Sequence, residues 1–509
     1  MKQKNVVCLL MVFMLITNVS AARAADKKKQ AVVESTVLKL NIDEAVKLGI
    51  ANSIAMQKVK NQIEVSEVID KNSQQSKKDL EDAEIQLNVA QQNLYAGMYD
   101  LYDSEAQLNA AQVLFAQDKL PQDITLPDGS SYPAGTDISA FGPLAATVRA
   151  QVQAQLDQAE QALKNGKARY EDGVNDYTSG EQKLKVSKAY AIASISNKLG
   201  TSTITELRSE PLGELMMTMS SQMKKITTYS YDIYKNQVAM LIQKNYYDVL
   251  KNQKLVQLRE KTMERGQIQY NAVSNAYYLG LKAKEDVLLA ETYYDSTRIA
   301  YEMAVQEYNK AMLELKKNLH LPADAQVLLS DVEADKEKYF NIEEGVESGL
   351  EKRLEIKTEE AKLVMYQQLK RVVSSSGYDE NDNEYKEAEL LLQKQELELS
   401  DKKCEIATLI RQSYETMNVL QKCLPIIQEM QKKAAENLEI ARYKYEMGYP
   451  AESALMEKLN IESLSGTMAE VIASQENLAE IEGKLVEMTS GYNLARVKYL
   501  NDIGELPYK

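Results

Sequence analysis

The sequence predicts a nearly all-α protein: long antiparallel coiled-coil hairpins in two tandem repeats, with little or no β-barrel. Three observations predict it. Ala, Glu, Lys, Leu, Gln and Met dominate, with only 20 Gly, 9 Pro, 4 Phe and no Trp in 509 residues, which suits long helices rather than sheets or an aromatic core. Apolar residues step by three and four along extended stretches, a narrow stripe that needs partner helices for burial. Finally, the same landmarks recur in the same order in both halves of the chain, which marks a tandem duplication.

The first 24 residues read as a signal peptide: basic MKQKN, apolar VVCLLMVFMLI, and a small-residue cleavage site at Ala22–Ala24. The apolar run is too short to span a bilayer, and no later stretch is long and apolar enough. A polar linker occupies 25–37. The first repeat, 38–322, opens with LNIDEAVKLGI, and the second, 339–505, echoes it with FNIEEGVESGL. Asn41 and Asn341 each suit a helix N-cap, with Glu44 and Glu344 three residues on, as in a capping box. Leu80, Ala83, Leu87, Ala90 and Leu94 then give a helical stripe. So do Ala304, Tyr308, Ala311 and Leu315, and the run from Ile406 through Ile410 and Met417 to Ile427. The first repeat is longer than the second by an insertion of about 98–214. Within it, 119–143 is loop-like with a short hairpin expected around PDGSS; helix returns at 144–198 and breaks at Gly200 to Gly213. In the second repeat SSSGYDENDN (374–383) separates two helices.

Two isolated glycines raise a separate question. YYLGLKAKEDVLLAE (277–291) and YEMGYPAESALMEKL (445–459) each place one glycine amid helix formers, at roughly 1 kcal/mol relative to alanine. Gly280 and Gly448 are read as the bends of two hairpins, 215–279 against 284–319 and 384–447 against 453–500. A helix of that length spans about 96 Å, so the bends lie at the far end of a long rod. They are either tight turns alone or exposed tips that contact another helical protein. Pro425 is a candidate kink in the second incoming helix.

The formal charge is −14, about −17 once Lys2, Lys4 and Arg23 leave with the signal. That balance disfavours nucleic acid and anionic headgroups as partners. Cys404 and Cys423, roughly 28 Å apart along one helix, are beyond disulfide reach and are expected to be buried small hydrophobes. One histidine, His320, and scattered carboxylates make no metal cluster; no phosphate loop and no nucleophile triad is present. No catalytic, cofactor or metal site is expected.

Order, duplication, the L-x-[IL]-[DE]-E-A-V helix start and the Y-x-x-G-x-x-x-x-x-D-V turn resemble the TolC family of outer-membrane efflux proteins over about 38–97, 215–322 and 339–505. The resemblance implies a homotrimer whose repeats form a twelve-helix α-barrel, with tips that meet a periplasmic adaptor linked to an inner-membrane pump. Gly280, Leu281, Asp286 and Val287 match the first tip. Tyr445, Gly448, Ala451 and Leu455 match the second, with Ala454 where an aspartate is usual and Pro450 where a gating arginine stands in the best-known member. Asp286, Tyr445 and Glu457 are thus the aperture candidates. The family inserts two β-strands per repeat, and neither SSSGYDENDN nor 119–143 supplies them, so the barrel is expected to be absent or reduced. The expected role is an exported envelope or outer-membrane efflux component working with adaptor and pump. The alternative is a coiled-coil spacer or tether without a conduit.

Overall fold

A computed structural model describes residues 37–330, 340–448 and 466–505; the expected signal peptide, the linker up to residue 36, Pro450, Ala451, Ala454, Leu455 and Glu457 lie outside them. Each repeat starts with a short capped helix. In the first, strand β1 (Leu38–Leu40) leads into α1 (Ile42–Asn52). Asn41 accepts from the Glu44 amide at 2.8 Å while Glu44 accepts from the Asn41 amide at 2.9 Å, the reciprocal box the motif predicts. The second repeat's α6 (Ile342–Lys352) is capped differently: Asn341 accepts from Glu343 N, and its amide donates to the Glu344 carboxylate.

Long helices follow. α2 (Ile54–Ala116) runs 63 residues without a break, through the predicted start of the insertion. A capped tip holds a two-residue-strand hairpin, β2 (Ile124–Thr125) with β3 (Ser131–Tyr132), and a 3-10 turn (Ile138–Leu144). α3 (Ala145–Leu199) returns for 55 residues, and α4 (Ser209–Tyr278), 70 residues, continues in the same direction along the body. The break between them ends at Arg208, so Gly213 is helical, four residues into α4. After α5 (Lys284–Asn318), strand β4 (Val327–Leu329) pairs in parallel with β1. The second repeat continues with α7 (Leu354–Ser375), α8 (Asn383–Met447) and α9 (Met468–Asp502). Pro425 lies within α8, which is one helix from Asn383 to Met447. The outgoing helix, expected from 453, is described only from Met468.

The two repeats pack by the same contacts. Gly49 on α1 and Gly349 on α6 lie where any Cβ would collide with Ile242 and Ile410 respectively, so the short helix sits close against the long one only because glycine removes the side chain. The Tyr246 hydroxyl lies 3.1 Å from the Leu40 carbonyl and 2.6 Å from the Ser330 carbonyl beside it, sharing its proton between them, and Tyr414 donates to the corresponding Phe340 carbonyl at 3.5 Å. Both outgoing helices end alike, on a left-handed residue: His320 at φ 54° and Gly504 at φ 73°. The sole histidine is therefore a helix terminator, with Leu321 N donating back to Lys316 O to close the turn.

α2 and α3 form a two-helix hairpin that projects beyond the start of α4, away from the glycine bends. Its seam alternates large and small residues. A methyl group on Gly166, Gly173 or Gly180 would meet Leu101, Leu94 or Leu87 at 2.9, 3.1 and 2.9 Å, so three leucines one heptad apart fill the space over three glycines one heptad apart. The base of this hairpin is sealed to the second repeat by a core that includes Leu199, Leu207, Leu215, Leu369 and Val372. Ser202 and Thr203 donate four hydrogen bonds, two backbone and two hydroxyl, to the Glu387 carboxylate. Burial opposes the charge there, but these donors hold the carboxyl below its usual range. Where the TolC-like pattern calls for strands in the second repeat, the turn between α7 and α8 packs into this core.

The expectation that both cysteines are buried fails. Cys404 is exposed and Cys423 half-buried, both free, because the buried stripe of α8 runs through Ile406, Ile410 and Met417 and these cysteines fall beside it.

Candidate functional site

The bend after α4 is built from its terminal hydrogen bonds. Gly280 N donates to Tyr277 O at 2.8 Å, Leu281 N to Ala276 O at 2.8 Å, and Gly280 takes φ 77°. That is a Schellman termination, in which the residue after the cap must be left-handed and glycine adopts it without strain. Among the described residues, no atom lies within 4 Å of a Cβ built on Gly280 or on Gly448, itself left-handed at φ 64°. Both glycines are thus required by backbone conformation and not by crowding.

The turn turns apolar side chains outward. Tyr278 is 82%, Leu279 75% and Leu281 71% exposed, an apolar knob at the end of a rod about 105 Å long. Of the sequence-predicted tip residues, Gly280 and Leu281 lie on this knob. Asp286 and Val287 do not. Val287 packs toward the core shared by Val273, Ala290, Ala441, Tyr445 and Met468, and Asp286 is half-buried beside Tyr445.

Tyr445, expected at an aperture, is instead 6% exposed and joins the two bends within one chain. Lys282 donates to its carbonyl at 2.9 Å, and the same ammonium stands 3.6 Å from the centre of its ring. Burial, then the neighbouring Asp286 charge, raise the phenol well above its ordinary range. Lys282 was not legible as a site residue: one lysine in an exposed glycine turn carries no pattern. Tyr278 and Leu279 were legible only as apolar residues flanking the glycine.

Glu470 takes the structural place of Asp286 in the second repeat. Each is the third residue of its outgoing helix, α9 after the Thr467 cap and α5 after Ala283. Glu470 accepts from Lys444 at 3.2 Å and from the Gly466 amide. Its position is set by the helix start at Met468, which the sequence reading placed earlier.

Further from the bends the four helices bury a polar layer. Arg265 on α4 pairs with Glu482 on α9 at 3.0 Å. Tyr293 on α5 is pushed up to about 12, first by burial, with Arg265, Glu476, Arg442 and Arg259 around it. Burial lowers Arg442. Among the described residues no His/Cys/Asp/Glu group could hold a metal, and no helix is long and apolar enough to cross a membrane.

Compared by sequence, the chain matches no family model and no curated protein. Compared by structure, it is similar to the Campylobacter jejuni CmeC outer membrane channel, at 13% identity and TM-score 0.45 over 58% of this chain and 68% of that one. A membrane protein from Pseudomonas aeruginosa is similar at 12% identity and TM-score 0.47, over 58% and 74% of the two chains. The outer membrane protein VceC of Vibrio cholerae is similar at 12% identity and TM-score 0.46, over 57% and 75%. At these identities the likeness is one of fold.

Proposed function

We propose that the chain is a TolC-like conduit component of the cell envelope: copies of it, three by the family resemblance, close side by side into a helical tube. The bends then serve as docking points for a periplasmic adaptor and its inner-membrane pump. One observation carries this reading. Two body helices each leave an apolar stripe uncovered by the rest of the chain, and the stripes match. On α5, Leu289, Ile299 and Met303 are exposed; on α8, Ile440, Met430 and Ile426 are exposed. Counted from the glycine bends, Ile299 and Met430 stand at the same height, as do Met303 and Ile426 and as do Leu289 and Ile440. Two different faces of one chain, matched in level, make a heterologous contact that generates a ring when its rotation closes. Burial of such stripes contributes about 25 cal/mol per Å² of apolar surface.

The bends fit the docking role. Tyr278, Leu279 and Leu281 offer a rigid apolar knob, and aromatic anchors of this kind dominate interface energies. Lys282 and Tyr445 tie the first bend to the second, so a partner meets both together. The chain supplies no chemistry, and the pump supplies the energy.

The experiment is paired-cysteine crosslinking of the full chain, with Cys8, Cys404 and Cys423 replaced by serine and carrying Ile299→Cys and Met430→Cys together. Mild oxidation is expected to give a ladder ending at a closed ring, and negative-stain images are expected to show a hollow particle. A monomer without covalent links, or a solid rod in the images, would sink the conduit reading. The rod would favour the spacer, which the compact core at the hairpin base also accommodates.

A further inference from the structure

The α2–α3 hairpin has an outer face that the conduit reading leaves unused. Along α2, positions stepping by three and four from Ile85 to Ala116 are all exposed and none is charged. Three of them are neighbouring rings: Tyr95, Tyr99 and Tyr102 are 56%, 68% and 63% exposed. Others are amides: Asn88, Gln92 and Asn109. The charged residues of this stretch, such as Glu84, Asp100 and Glu105, lie off the line. This is a second heptad seam, on the side of α2 away from the leucines that pack on α3. On α3 the corresponding outward line from Gln151 to Gln182 carries residues such as Gln158, Asn165, Ala168, Asp172 and Asn175 and no aromatic ring; Tyr170 and Tyr177 lie off it, half-buried.

We propose that this α2 face is a self-association surface, occupied by α2 of other copies of the same chain in parallel and in register, with α3 on the outside. The proposal rests on the ring of copies argued above. Rotational symmetry about an axis along the helices brings each α2 beside its copies at identical height and in the same direction. A parallel homotypic seam is the only one in which every residue of the line meets itself. Self-facing Asn and Gln then hydrogen-bond to one another, the arrangement by which isolated amides in a coiled-coil core specify register and number of strands. A line free of charge is required for that, because like charges facing themselves repel. The tyrosines suit it as well: each buries its ring while the hydroxyl reaches the edge. The end of the tube opposite the bends would thus be gathered into a helical stalk. The stalk stands where the family resemblance places a β-barrel.

Single-cysteine variants of the full chain, again with Cys8, Cys404 and Cys423 as serine, test it. Tyr99 is exposed, so Tyr99→Cys leaves the monomer fold intact. Under mild oxidation Tyr99→Cys is expected to run mostly as a covalent dimer, while Ala168→Cys, at the same height on α3, stays monomeric. Monomeric Tyr99→Cys alongside an intact Ile299→Cys/Met430→Cys link would overturn the stalk and leave the ring standing. Links formed only when the Tyr99→Cys and Ala168→Cys chains are mixed would overturn it too, in favour of α2 against a neighbour's α3. A Tyr99→Cys dimer without the body link would support the stalk contact and remove the ring.

Discussion

Lys282→Met cuts the tie between the two bends while keeping most of the aliphatic stem. The ammonium makes one charged hydrogen bond, to Tyr445 O at 2.9 Å, a class that contributes about 1.5–3 kcal/mol. It also stands 3.6 Å from the Tyr445 ring centre, a cation–π contact of about 0.5–2 kcal/mol. Lys282 is half-buried, so screening trims both, and a combined loss of about 2 kcal/mol is expected. That raises the local opening equilibrium about 30-fold at 1.4 kcal/mol per decade. Hydrogen exchange resolved by peptide reads it directly: amides at the end of α8 and the start of α5 should exchange about 30-fold faster, with the α2–α3 hairpin unchanged. Lys284→Met, exposed two residues on, is the control and should do nothing. Unaltered protection in Lys282→Met would refute the idea that this lysine couples the bends.

Two further outcomes are expected. In the hairpin seam, Leu94→Ala removes a partly buried side chain at about 1–2 kcal/mol, and Gly173→Leu overpacks against Leu94 at about 1–3 kcal/mol. Because each residue fills the other's space, the double variant should be at least about 1 kcal/mol more stable than the sum of the singles, measured by exchange in the hairpin peptides; simple additivity would contradict the seam. Alkaline pH should destabilise the body: Tyr293, Tyr445 and Tyr499 have raised native pKa values. A raised phenol binds its proton more tightly in the native state than unfolded, so stability is intact below pH 10 and falls as pH climbs toward 12. Tyr293→Phe should flatten that fall in melting curves by about 2 kcal/mol, and an unchanged slope would count against the buried layer.

Helix content, the tandem repeat and the glycine helix ends at Gly280 and Gly448 were determined by the sequence, because they are local. Heptad spacing, an N-cap asparagine and a glycine between helix formers each act within a few residues, so Asn41, Gly280 and Gly448 could be read directly. The tertiary structure alone decided what those elements meet. Tyr445 belongs to a buried join and Val287 to the core because two hairpins pack against each other, and no spacing along one helix reports that. Glu470 takes the place of Asp286 because α9 starts at Met468 under the Thr467 cap, and one threonine cap carries too little pattern to be picked out along the chain. The same holds for α2. Its leucine stripe was visible, but only a seam already filled by the glycines of α3 shows that the tyrosine line on the other side is left over. A helix's periodicity tells which faces want burial; which partner buries each face is settled by long-range packing.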